Sequence, residues 1–85
     1  MYLVTYDVGD NKERTRIARV IEQYGIRVQL SVWLCRQPPS AMHRLRDRLR
    51  DLGVETGSVD IWALDSLICS LGRDNPIKEE CCHII

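Results

Sequence analysis

The chain has 85 residues, 45% of them hydrophobic and none of them Phe, which makes one small domain with a modest core that a partner subunit is expected to enlarge. Its formal net charge is zero, yet positions 12–50 hold ten Lys and Arg against three acidic residues, while the rest of the chain holds two basic and nine acidic ones. That asymmetry excludes an evenly neutral surface and puts a positive face, suited to polyanions, on one part of the fold. No stretch approaches membrane-spanning length and no basic region precedes the apolar start, so no membrane partner is expected and the setting is expected to be cytoplasmic, with Cys35, Cys69, Cys81 and Cys82 reduced.

Residues 1–8, Met-Tyr-Leu-Val-Thr-Tyr-Asp-Val, form an apolar and aromatic run that predicts a central strand buried on both faces. Asp7 is the anomaly in it. An isolated carboxylate in such a strand calls for a cation, or else it caps the turn Gly9-Asp10-Asn11 by accepting backbone N–H groups. Asp10 and Glu13 then stand three apart, the spacing of a reciprocal capping box, and open the first helix. Ile17, Val20, Ile21 and Tyr24 make its apolar stripe, and Gly25 is expected to end it in a left-handed conformation. Lys12, Arg16 and Arg19 fall on the opposite side, whereas Arg14 lies beside the stripe and can point back to the turn that holds Asp7.

Residues 26–35 alternate, with Ile26, Val28, Leu30, Val32 and Leu34 against Arg27, Gln29, Ser31, Trp33 and Cys35, as one bent strand or as two broken near residues 29–31. Pro38-Pro39-Ser40 opens a second helix with Met42, Leu45, Leu49 and Leu52 as its stripe and Gly53 at its end. Its arginines divide between the two flanks, and Asp47 and Asp51 can pair with some of them. Residues 58–64 alternate again, Val59, Ile61 and Ala63 against Asp60, Trp62 and Leu64, as a further strand. Residues 66–71 are a short apolar run, and 81–85 read as a last strand, with Cys81, Cys82 and His83 as packing residues, because adjacent cysteines chelate zinc poorly.

Strand, helix, one or two strands, helix, strand is the order of a ferredoxin-like α+β sandwich, two helices covering one face of an antiparallel sheet. The alternation is expected to place Trp33 and Trp62, with Gln29 and Ser31 nearby, on the bare face, where two subunits would pack sheet to sheet as a homodimer. Leu3, Thr5 and Asp7 share one face, so a two-fold axis would bring two Asp7 carboxylates together, an arrangement that a divalent cation relieves.

Three stretches carry a family resemblance: Tyr6-Asp7-Val8, then Asn11-Lys12-Glu13-Arg14-Thr15-Arg16-Ile17-Ala18, then Tyr24-Gly25-Ile26-Arg27-Val28-Gln29-Leu30-Ser31-Val32-Trp33. Together they resemble the CRISPR-associated protein 2 family, the second of the two universal proteins of CRISPR adaptation, with a weaker echo over residues 58–71. Trp33 stands where that family usually has Phe, Cys35 where Gly or Cys is usual, and Gly9 in place of the common Pro or Ser. The resemblance implies a ferredoxin-like homodimer spanning residues 1–85, with 66–85 as a tail on the partner subunit. It also implies a shared Mg2+ site at Asp7 and phosphate contacts from Arg14, Arg16 and Arg27. From the charge pattern, Lys12 and Arg19 join those phosphate-contacting residues. Members are described as metal-dependent endonucleases of RNA or DNA, and also as non-catalytic bridges that dock the CRISPR integrase (CRISPR-associated protein 1). A related ribonuclease toxin on the same scaffold is a third implied function.

Overall fold

The computed structural model describes residues 1–65. Six elements follow one another: β1 (Tyr2–Val8), α1 (Asn11–Ile21), β2 (Ile26–Gln29), β3 (Val32–Cys35), α2 (Pro39–Leu52) and β4 (Gly57–Ala63). The strands form one sheet in the order β2-β3-β1-β4, antiparallel throughout, which is the ferredoxin-like arrangement expected from the pattern. Residues 26–35 are therefore two strands, with a register shift between Arg27 and Gln29.

Register and alternation fix the two faces of the sheet. Val4 lies opposite Trp33 on one side and Ile61 on the other, and Tyr6 lies opposite Val59, so these side chains share the face that the helices cover. There they pack with Val8, Ile17, Ile21, Cys35, Met42, Leu45 and Leu49 in a single core. Burying a Leu side chain such as Leu45 contributes roughly 1.5–3 kcal/mol, so a few such residues outweigh any surface contact. Burial also pushes the Cys35 thiol up from 9.0 to about 11, which makes it a small apolar filler rather than a nucleophile.

The opposite face carries Leu3, Leu34, Ile26 and Trp62, together with Thr5, Asp60 and Asp7. Trp62 is 53% exposed and donates from Nε1 to Thr5 Oγ1 at 3.1 Å, so its ring lies across β1 on the open side. Trp33 does not join it there. It is 5% exposed in the core, because the register sets it opposite Val4, and in a chain without Phe it is the aromatic bulk that fills the space between sheet and helices. The expectation that Trp33 belongs to a subunit interface is thereby corrected. Its indole N–H is buried with no hydrogen-bond partner among the described residues, and the Arg27 guanidinium lies 4.8 Å from the centre of its ring.

Both helices end differently from each other and, in one case, from expectation. α2 stops at Gly53, the end expected from the sequence, and its φ of 70° makes it a left-handed cap. α1 stops at Ile21, with Glu22 as a right-handed cap, and Gly25 has no positive φ. Gly25 is required for space: a Cβ there would run into the Leu34 carbonyl and Cys35 Sγ. Tyr24, outside the helix, receives Arg48 of α2 over its ring at 5.6 Å and accepts from Gln37 at its carbonyl. No helix among the described residues is long and apolar enough to cross a membrane. The expected strand at 81–85, and Cys69, Cys81, Cys82 and His83, lie outside the described residues.

Candidate nucleic-acid interface

The site arises from a difference in strand length. β3 pairs with β1 only as far as Thr5, and the β2–β3 turn closes at Leu30 and Ser31, where the Ser31 carbonyl accepts from the Tyr6 amide. β1 runs on through Asp7 and Val8 with β4 alone beside it. The space left between the overshooting strand, the hairpin tip and α1 is a concavity of about 680 Å³. Asp7, Arg14, Arg19, Arg27 and Ser31 are among its lining residues.

Asp7 is exposed, not buried, which corrects the expectation of a strand covered on both faces: the sheet has one bare face, and Asp7 lies on it, opposite Ser58. Its carboxylate forms no ion pair with any described residue, so it is available to a cation. Magnesium is satisfied by one or two carboxylates completed by water and phosphate oxygens, and an exposed Asp7 supplies one hard oxygen donor of that kind. Among the described residues no three His, Cys, Asp or Glu side chains gather as a metal cluster, so the rest of any coordination sphere has to come from outside them.

Arg14 does what its place beside the apolar stripe suggests. Its Nη1 donates to the Val8 carbonyl at 2.8 Å and the Gly9 carbonyl at 3.2 Å, tying α1 to the turn that follows Asp7. Arg27 lies over the Trp33 ring, a contact that holds the guanidinium at the concavity. Arg19 lines both this concavity and a second groove along α1 with Asn11, Lys12, Thr15 and Arg16. Lys12, Arg16 and Arg19 are exposed and make no ion pair among the described residues, so their charge is open to phosphates. Gln29, at the exposed end of β2, and the half-buried Ser31 border this hairpin tip.

Sequence reasoning missed how the turn is held. Asp10 accepts from the Glu13 amide at 2.9 Å, as a cap should, but Glu13 does not return the contact. It is the one charged residue buried among those described, 7% exposed, and its Oε1 accepts from the Glu55 amide at 2.7 Å and the Thr56 amide at 3.2 Å. Thr56 in turn accepts from Asp10 N at its hydroxyl and from Gly9 N at its carbonyl, both at 3.2 Å. The only signal for this in the sequence is a carboxylate in the first helical turn, which a capping box explains equally well.

A family model described as CRISPR associated protein Cas2 matches residues 1–66. Among curated proteins, CRISPR-associated endoribonuclease Cas2 3 of Synechocystis is 38% identical over 52 residues, 61% of this chain and 56% of the relative. The chain thus spans little more than half the length of that relative. Among solved structures, the hypothetical protein TT1823 from Thermus thermophilus aligns with a TM-score of 0.77 at 33% identity, over 85% of this chain and 89% of the other. A chain of a partial Cas6-RT-Cas1–Cas2 complex aligns with a TM-score of 0.65 at 27% identity, over 89% and 88%. Because that family model matches well over half of it, the chain belongs to the Cas2 family of CRISPR associated proteins.

Proposed function

We propose that this chain is a metal-dependent endonuclease of RNA or DNA, acting as a cytoplasmic homodimer in CRISPR spacer acquisition. One observation carries the reading: an exposed Asp7 carboxylate, without an ion pair among the described residues, shares a concavity with Arg14, Arg19 and Arg27. The names of the curated relatives, endoribonuclease among them, support it. Dimerisation is supported by the open sheet face, where Trp62 and Ile26 are exposed and Leu3 is half-buried, more apolar surface than a small monomer leaves wet. Two copies packed through that face would put their Asp7 residues on facing surfaces, and residues 66–85 would pack on the partner subunit.

In this reading Asp7 of each subunit holds the metal, while Lys12, Arg14, Arg16, Arg19 and Arg27 bind and orient the backbone phosphates. Magnesium, when bound, supplies polarisation of a phosphate oxygen and a more acidic water. The arginines offset the charge that builds on the phosphate during displacement. Asp7→Asn keeps shape and removes charge, so it is expected to abolish magnesium- or manganese-dependent cleavage of RNA and DNA while leaving the dimer intact or slightly firmer in sedimentation.

That no three metal-ligating side chains gather among the described residues favours a second reading, a platform that holds duplex DNA and docks the Cas1 integrase; the likeness to a chain of a Cas1–Cas2 assembly supports such a partner. Wild-type protein that cleaves under no divalent metal, yet binds nucleic acid equally with Asp7→Asn, would establish the platform in place of the enzyme.

A further inference from the structure

The turn after Asp7 is fixed from two sides, and the second side converges on a residue that contacts neither phosphate nor metal. Arg14 holds the Val8 and Gly9 carbonyls from α1. From the other side, Thr56 holds the Gly9 and Asp10 amides, and Thr56 itself is placed by the buried Glu13 carboxylate, which binds its amide and that of Glu55. Charge-assisted bonds to backbone N–H are about twice as strong as neutral ones, so the junction is as rigid as that one carboxylate makes it. We infer that Glu13 is a positioning residue for the Asp7 metal site, acting through residues 55–56 and the 9–10 turn; the inference rests on Asp7 holding a divalent cation.

Partners of a ligand that lie beyond direct contact typically change metal affinity by about 10–100-fold. Manganese binding to the full-length dimer, followed by electron paramagnetic resonance at a temperature where every variant is folded, reads that effect without any turnover. Glu13→Ala is expected to weaken manganese affinity about tenfold or more and to speed amide exchange at Gly9 and Asp10. Glu13→Gln keeps an acceptor for both amides and is expected to stay within roughly threefold of wild type. Thr56→Val, at an exposed site, removes only the acceptor for Asp10 N and keeps the test open should Glu13→Ala fail to fold; it is expected to weaken affinity in the same direction. Lower thermal stability with unchanged manganese affinity in these variants would overturn the inference and make Glu13 a purely structural residue. Wild-type protein whose manganese binding is indifferent to Asp7→Asn would overturn the metal reading beneath it, a distinct result.

Discussion

The two helices have similar shares of arginine and put them to different use. α1 begins under a side-chain cap, and its Lys12, Arg16 and Arg19 are unpaired among the described residues; they line one groove along the helix, which Arg19 joins to the concavity that contains Asp7. α2 follows Pro38 with no side-chain cap; Arg46 and Arg50 pair with Asp47 at 3.1 and 3.9 Å, and Arg48 bridges to Gln23 and Tyr24 just beyond the end of α1. Count of charges does not distinguish them. What does is whether a charge is already occupied within the fold and whether it lies near the strand end that overshoots its neighbour.

The largest effect that could break this contrast is on binding. Replacing Lys12, Arg16 and Arg19 with Ala is expected to flatten the salt dependence of nucleic-acid affinity by about one unit per residue, measured by titration from low to high salt. The same treatment of Arg46 and Arg50 is expected to leave the slope nearly unchanged, and an equal loss there would mean that overall charge does the binding. Next in size is the cap. Asp10→Ala is expected to cost about 1 kcal/mol in urea unfolding, since it removes the acceptor for the Glu13 amide. The smallest is Asp47→Asn, which frees Arg46 and Arg50 from exposed pairs worth at most about 1 kcal/mol. Stability should barely move, and nucleic-acid affinity should not rise; a clear rise would recruit α2 to the interface.

Element order, the face assignment of β1 and β4, the Gly53 cap and the reach of Arg14 were all legible in the sequence, because each follows from periodicity or from local geometry. The location of Trp33 was not. Alternation separates a strand into two sets of side chains but does not say which set the helices cover, and β3 is settled only by its register against β1, a long-range pairing. Trp33→Ala is expected to cost about 3–5 kcal/mol as a core truncation. Trp33→Phe trades a smaller cavity for the removal of an unpaired buried N–H, so it should be far milder. Asp7 was read as buried for a related reason: an apolar run does not reveal that one neighbouring strand stops short. Glu13 illustrates a third limit, since a carboxylate in a first helical turn can serve its own helix or a loop more than forty residues away, and only the fold decides.

Gly57 starts β4 against the main chain of Asp7 and Val8, where any Cβ would overlap the Asp7 carbonyl. The place of the carboxylate is accordingly set by backbone against backbone, a kind of contact that ionic strength and counterions hardly touch, while the arginines of α1 respond to both. The protein's grip on a polyanion and the location of the exposed Asp7 carboxylate can therefore drift independently through substitution. Lineages could retune what is held by editing the outer face of α1 without disturbing Asp7, whereas a change as slight as Gly57→Ala would move Asp7 and leave the grip intact.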